Sequence, residues 1–263
     1  RGNLSLLHRQ SIAIVGARNA STNGCTIAYG LAGELGKSDY VICSGLARGI
    51  DAAVHKGSIK TGTVGVIAGG IDNVYPREHE YLYNALYEKG AVLTEYPIGS
   101  APVAKFFPQR NRIISGLSIA VVVVEAAQKS GTLITARLAL DQGREVFAVP
   151  GSPLDPRCRG TNSLLKQGAA LVENAADIVE TLKMNSAQYL EKESMCYEKE
   201  SQYEGESVAK IRDLSEKELS KFRDILISKL SYTPVDIAVL ITDLEDIPLD
   251  VLNLLLVELE LSG

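Results

Sequence analysis

The chain has 263 residues, 46% of them hydrophobic, with no tryptophan, so one large aliphatic α/β core and a smaller module fit its length. No apolar run approaches a membrane span, Arg1-Gly2-Asn3-Leu4 does not open a signal peptide, and the lack of an initiator Met marks the sequence as a fragment or trimmed chain. The net charge of −5 argues against nucleic acid until it is divided: residues 1–182 hold 18 Lys and Arg against 15 Asp and Glu, whereas residues 183–263 hold 9 against 17.

Short Val- and Ile-rich runs predict strands over Ser11–Val15, Tyr40–Ser44, Thr63–Ala68, Ala91–Glu95, Ile119–Ala126, Arg144–Val149 and Ala169–Val172. Helical periodicity falls between them, over Cys25–Lys37, Asp51–Lys60, His79–Lys89, Gln109–Leu117, Thr132–Gln142 and Ala175–Leu182. Many strands end at Gly or Ser. The alternation implies a doubly wound α/β sheet, with a ligand crevice at the carboxyl ends of its strands.

The first such end, Gly16-Ala17-Arg18, fails the dinucleotide fingerprint: Arg18 stands where Gly is needed, and the second strand ends Cys43-Ser44-Gly45 without an acidic residue. Gly16 either permits a tight turn or opens a phosphate site with Arg18 supplying charge. In Ser44-Gly45-Leu46-Ala47-Arg48-Gly49-Ile50-Asp51, Gly45 and Gly49 allow close backbone approach and Asp51 caps the next helix. Arg48 has no structural duty there and reads as a ligand contact.

Phe106-Phe107-Pro108-Gln109-Arg110-Asn111-Arg112 reads as a basic turn in which guanidinium groups hold phosphates and Phe107 receives an unstacked base. The structural alternative makes Phe106 core and ties one arginine into a salt bridge. Lys129-Ser130-Gly131-Thr132 starts a helix after the strongest strand, an anion site by its free N–H groups, hydroxyls and ammonium. It is no Walker A loop, and Gly57–Gly62 imitates that spacing without the following Lys and Ser or Thr.

Catalytic signals are absent. His79-Glu80 lacks the second zinc-protease histidine, no GxSxG elbow exists, and Glu95, Glu125 and Asp141 form no acid–base pair. The cysteines Cys25, Cys43, Cys158 and Cys196 are scattered and read as reduced structural thiols of a cytoplasmic protein. No cofactor and no metal are expected.

The organisation is therefore an N-terminal segment over 1–10, the sheet domain over 11–182, a polar linker over 183–215, and a small all-α module over 216–263. The linker composition collapses to Glu, Lys, Ser and Gln from Asn185 to about Ser207. Beyond it, Lys217–Leu230, a turn at Ser231–Pro234, Val235–Thr242 and Leu249–Glu260 suggest a helix-turn-helix core. The sequence stops at Leu261-Ser262-Gly263, where a winged helix would begin its β-hairpin.

Taken in order, Gly16-Ala17-Arg18, Ser44–Asp51, Gly69-Gly70-Ile71-Asp72 with Tyr75-Pro76, Phe107–Gly116, Ser130–Ala136 and Gly143–Gly151 resemble the DNA-processing protein A (DprA, or Smf) family. The resemblance implies an extended Rossmann domain that homodimerises and binds single-stranded DNA, with a truncated winged-helix-like module behind it. It implies a recombination mediator that is not an enzyme, protecting incoming strands in natural transformation and helping to load RecA recombinase. Carried over by motif, Arg48, Arg110, Arg112 and Lys129 contact the backbone and Phe107 stacks. Ala17 stands where many relatives have Thr. The acidic module points to a protein partner rather than DNA. The competing reading is an enzyme or sensor of a nucleotide-like small molecule, similar to the phosphoribohydrolases. Ala68-Gly69-Gly70-Ile71-Asp72 and Lys129-Ser130-Gly131-Thr132 both leave the PGGxGTxxE motif of those enzymes incomplete.

Overall fold

The seven apolar runs pair into one all-parallel sheet. The computed structural model describes residues 1–184, 216–230, 237–244 and 247–262. Its strands are β1 (Ser11–Val15), β2 (Val41–Ser44), β3 (Thr63–Val66), β4 (Ala91–Leu93), β5 (Ala120–Val123), β6 (Glu145–Ala148) and β7 (Ala170–Leu171). They lie in the order β4-β3-β2-β1-β5-β6-β7, every pair parallel. The chain thus winds outward from β1 in one direction, returns to the middle, and continues from β5 in the other. The reversal lies between β1 and β5.

Strand alternation sorts the core into two layers. Ile12, Ile14, Ile42, Val122 and Phe147 point to one face, where they meet Leu31 and Leu35 of α1 (Thr22–Lys37), Val54 of α2 (Ile50–Ser58) and Ile178 of α7 (175–184). Ala13, Val15, Cys43, Val121 and Val146 point to the other. They pack on Ile114 of α4 (Phe106–Leu117), Ala136 and Ala139 of α5 (Gly131–Asp141), and Leu164 of α6 (Arg159–Lys166). Each fully buried aliphatic side chain contributes about 1.5–3 kcal/mol of hydrophobic stabilisation, so both layers are needed. α3 (Glu80–Lys89) closes the β4 end through Leu82, Tyr83 and Leu86.

Two differences from the sequence reading bear on function. The helix predicted from Gln109 begins at Phe106, so the Phe106-Phe107-Pro108 part of the basic segment is the first turn of α4; Pro108 sits there, where a missing N–H costs nothing. In addition, α6 was not expected, because Arg159-Gly160-Thr161-Asn162-Ser163 is poor in helix formers. Tertiary bonds hold it instead: Gly160 N–H donates to Ala126 O at 2.8 Å, and the Asn162 amide bridges both backbone groups of Gly151.

The chain divides into two units, Arg1–Met184 and Asn185–Gly263. In the second, α8 (Glu216–Lys229), α9 (Ile237–Asp243) and α10 (Leu249–Ser262) surround Leu226, Leu240, Leu244, Val251, Leu252 and Leu255. The expected polar linker over Asn185–Ser207 and the turn at Ser231–Pro234 lie outside the described residues. Among the described residues no helix is long and apolar enough to cross a membrane, and no cluster of His, Cys, Asp and Glu could hold a metal ion.

Candidate nucleic-acid interface

The carboxyl ends of β1, β2, β3 and β5 deliver four loops to one side of the sheet. The loop after β1 carries Arg18 and Asn19, and the loop after β2 carries Gly45 to Gly49. Backbone fit locks these two together. Gly49 has φ +72°, and a Cβ there would lie 2.3 Å from Ala17 O. Ile50 N–H donates to Ala17 O at 3.2 Å. Leu46 is held in the left-handed region (φ 54°) with its side chain fully buried and its carbonyl in contact with His79 Nδ1 at 3.1 Å. A third tie crosses the switch point, where the buried Glu125 accepts from Ser21 N–H at 2.9 Å and from Ser21 Oγ at 2.5 Å. Glu125 is thus a fastener between the loops after β1 and β5.

Between these loops runs a cleft of about 820 Å³ lined by Gly16, Ala17, Arg18, Asn111 and the segment Lys129 to Thr132, among others. A side pocket of about 340 Å³ opens beside it, lined by Ile67, Gly69, Asn73, Tyr75, Tyr83 and Phe107. Arg18, Asn19, Ala47, Tyr75, Pro102 and Phe107 line both spaces and form their common wall. On this wall the Arg18 guanidinium lies 4.9 Å from the Phe107 ring centroid, and Tyr75 lies 5.5 Å from it.

At the far side of the cleft, α5 begins. Ser130 caps it, accepting from Thr132 N–H at 3.2 Å, and Thr132 Oγ1 donates to Gly16 O at 3.1 Å. A side chain at Gly131 would meet open space, so the helix start is bare. Neither Lys129 nor Arg18 forms an ion pair among the described residues, and both are exposed. Two free cations and the positive end of a helix dipole therefore face one cleft.

The other arginines are placed differently. Arg48 stands at the rim of the side pocket, its Nε and Nη2 donating to Glu78 at 2.7 and 2.8 Å. This pair is solvated, and the carboxylate raises the Arg48 pKa while the guanidinium lowers that of Glu78. Arg157, which the sequence reading missed, lines the cleft and is paired with Asp155.

Arg110 and Arg112, both carried over as backbone contacts, are set apart by the helix that bears them. Successive residues rotate by about 100°, so positions 110 and 112 point about 200° apart and cannot share a face. Arg112 turns away from the cleft and pairs with Glu95. Arg110 turns inward, 3% exposed, and its Nη1 donates to Val66 O at the end of β3. Beside it lies the buried Asp51, which accepts from Ala47 N–H at 3.3 Å. Gly45 makes room for this arrangement, because a Cβ would fall 2.3 Å from Arg110 Nη1 and 2.6 Å from Asp51 Oδ2. Burial lowers the Arg110 pKa and raises that of Asp51, while each charge opposes the other's shift. Phe106 is half-buried, stacked on Tyr96 at 4.1 Å, and leaves the cleft to Phe107.

A profile of the DNA recombination-mediator protein A family matches residues 1–183. The DNA processing protein DprA of Bacillus subtilis strain 168 is 46% identical over 194 residues, covering 73% of this chain and 65% of that protein. Protein Smf of Escherichia coli K12 is 44% identical over 185 residues, 69% of this chain and 50% of its own. The match thus spans about half to two thirds of these relatives. Among solved structures, DprA from Streptococcus pneumoniae superposes with a TM-score of 0.64 at 40% identity, covering 68% of this chain and 64% of that one. DNA processing protein A from Helicobacter pylori, described for its single-stranded DNA binding mode, gives 0.65 at 30% identity, covering 70% and 85%.

Proposed function

Because the chain belongs to the DNA recombination-mediator protein A family, we propose that its first unit binds single-stranded DNA without sequence preference. The observation that carries this reading is the shared wall of Arg18 and Phe107, which joins a cationic cleft to a side pocket of a size suited to one base. Phosphates lie against Arg18, Lys129, Ser130 and the N–H groups of Gly131 and Thr132. One unpaired base enters the side pocket between Tyr75 and Phe107. Arg48 joins when a phosphate takes the place of Glu78. Gly45 and Gly49 let the loop approach closely, and Arg110 supports the floor from beneath. Binding rather than turnover fits the cleft, whose one lining carboxylate among the described residues is Asp51, buried and held by Ala47.

Around this core we place the finer functions of a recombination mediator: protection of incoming strands and loading of RecA in the cytoplasm during natural transformation. A homodimer through the β7 edge, where Leu171 is 51% exposed, would set two clefts on one strand. α10 has Asp250, Glu258 and Glu260 and no Lys or Arg, so the second unit meets protein rather than a DNA groove.

Fluorescence anisotropy with a labelled oligo-dT at two salt concentrations tests the reading. Changing both Arg18 and Lys129 to Ala should weaken binding and reduce the log–log salt slope by roughly 0.7 per cation removed. An unchanged slope with the fold intact, or equal affinity for a duplex of the same length, would remove the cleft as the DNA site.

A further inference from the structure

Within the side pocket one polar group is fixed in orientation and unspent. Asn73 stands in the segment after β3 and donates its Nδ2 to Ser100 O at 3.1 Å. A backbone carbonyl can only accept, so this bond settles which end of the amide is nitrogen. Neighbouring contacts clamp the same two segments: Gly70 N–H donates to Ser100 O at 2.8 Å, Asn73 N–H to Gly70 O at 2.9 Å, and Gly99 N–H to Asp72 Oδ1 at 2.9 Å. The half-buried Asn73 cannot turn over without losing its bond to Ser100. Its Oδ1 has no hydrogen-bond partner among the described residues.

Arg18, Asn19 and Arg48 also line the pocket, but a guanidinium only donates and the Asn19 amide has no bond among the described residues that fixes its orientation. Tyr83 Oη is already committed, donating to Tyr75 O at 3.0 Å. Ile67, Pro102 and Phe107 contribute apolar surface. A fixed acceptor in a recess whose other oriented side chains are apolar or donors selects for a ligand that brings a donor, because leaving it unpaired on closure costs about 1–3 kcal/mol.

We propose that Asn73 is a specificity-determining residue that reads whether a base is unpaired, its Oδ1 accepting a hydrogen bond from the base's Watson–Crick edge. All four bases present a donor on that edge: the exocyclic amines of adenine and cytosine, and the ring N–H of thymine and guanine. One acceptor therefore serves any sequence, as a mediator needs. In a duplex every one of those donors is spent on the complementary base, so the same acceptor rejects paired DNA. This rests on the reading that a base of single-stranded DNA occupies the side pocket, and it assigns the strand-state preference to one atom.

The test pairs a change in the protein with a change in the ligand. The full chain, as wild type and as Asn73→Leu, is titrated by anisotropy with oligo-dT. A second strand carries 2,4-difluorotoluene, a thymine shape mimic without the N–H donor. Wild type should prefer oligo-dT by about fivefold or more, the worth of one hydrogen bond, whereas Asn73→Leu should bind both strands equally. A pocket merely distorted by the substitution would weaken both strands and keep their ratio. The same preference in both proteins, or none in wild type, overturns the role of Asn73 and leaves single-strand binding intact. Failure of wild type to bind oligo-dT overturns the underlying reading as well.

Discussion

Replacing Arg110 separates structural from DNA-contacting arginines. In Arg110→Leu, the Val66 carbonyl loses its buried donor, and the Asp51 carboxylate, itself 6% exposed, loses its positive neighbour. Leaving a buried carboxylate without its compensating charge costs up to about 3–5 kcal/mol, and an aliphatic side chain recovers little of that at a polar site. Asp51 responds by holding its proton more tightly. Its folded pKa is already raised by burial and rises further once the guanidinium is gone. A carboxyl with a raised folded pKa binds more protons folded than unfolded above the ordinary range, so stability falls as pH rises. The deficit of Arg110→Leu relative to wild type should therefore widen from pH 5 to pH 8. A second change, Asp51→Asn, should recover part of it. Urea unfolding followed by circular dichroism, with binding measured in parallel, decides the matter. A loss below about 1 kcal/mol combined with a flattened salt dependence would refute the argument, because Arg110 would then be meeting DNA directly.

Two further outcomes follow from buried geometry. His55 is fully buried: Thr63 Oγ1 donates to Ile42 O, so His55 Nδ1–H must donate to Thr63 at 2.7 Å, and Nε2 has no partner among the described residues. Burial first, then the charges of Arg110 and His79, push its pKa down to about 3. The unfolded chain then binds the extra proton between about pH 3 and 6.5, so the contribution is complete above 6.5 and lost on acidification. Wild type should lose about 2 kcal/mol more than His55→Gln between pH 7.5 and 5 in chemical unfolding, and parallel curves would contradict this. Gly49→Ala must place a Cβ 2.3 Å from Ala17 O at φ +72°. It should cost about 2 kcal/mol or more and weaken oligo-dT binding by displacing Arg18; a variant with wild-type stability and affinity would show that the two loops are not interlocked.

The side pocket depends on residues far apart in sequence. Asn73 and Ser100 come from different connections, while Phe107 and Arg18 come from α4 and the β1 loop. Nothing in a local window marks Asn73 as different from any other loop amide. Arg157 was missed for the same reason, lying in a Pro-rich stretch that only the packing of α6 brings to the cleft.

What the chain's own pattern decided was the layer architecture. Runs such as Ile12-Ala13-Ile14-Val15 and Val121-Val122-Val123-Val124 are short and buried on both faces, which leaves a parallel sheet as their one economical use. The Gly-led loops and the start of α5 were legible because helix termini and positive-φ glycines are local properties. The fate of each arginine was not local. Arg18, Arg48, Arg110 and Arg112 are chemically alike in sequence, yet one lies on an aromatic ring, two are paired on the surface and one is buried beneath the cleft floor. Helical phase turned Arg110 inward and Arg112 outward, and carboxylates distant in sequence claimed Arg48 and Arg112. A charge's availability depends on what the fold brings within a few ångströms of it, and that is settled only by tertiary packing.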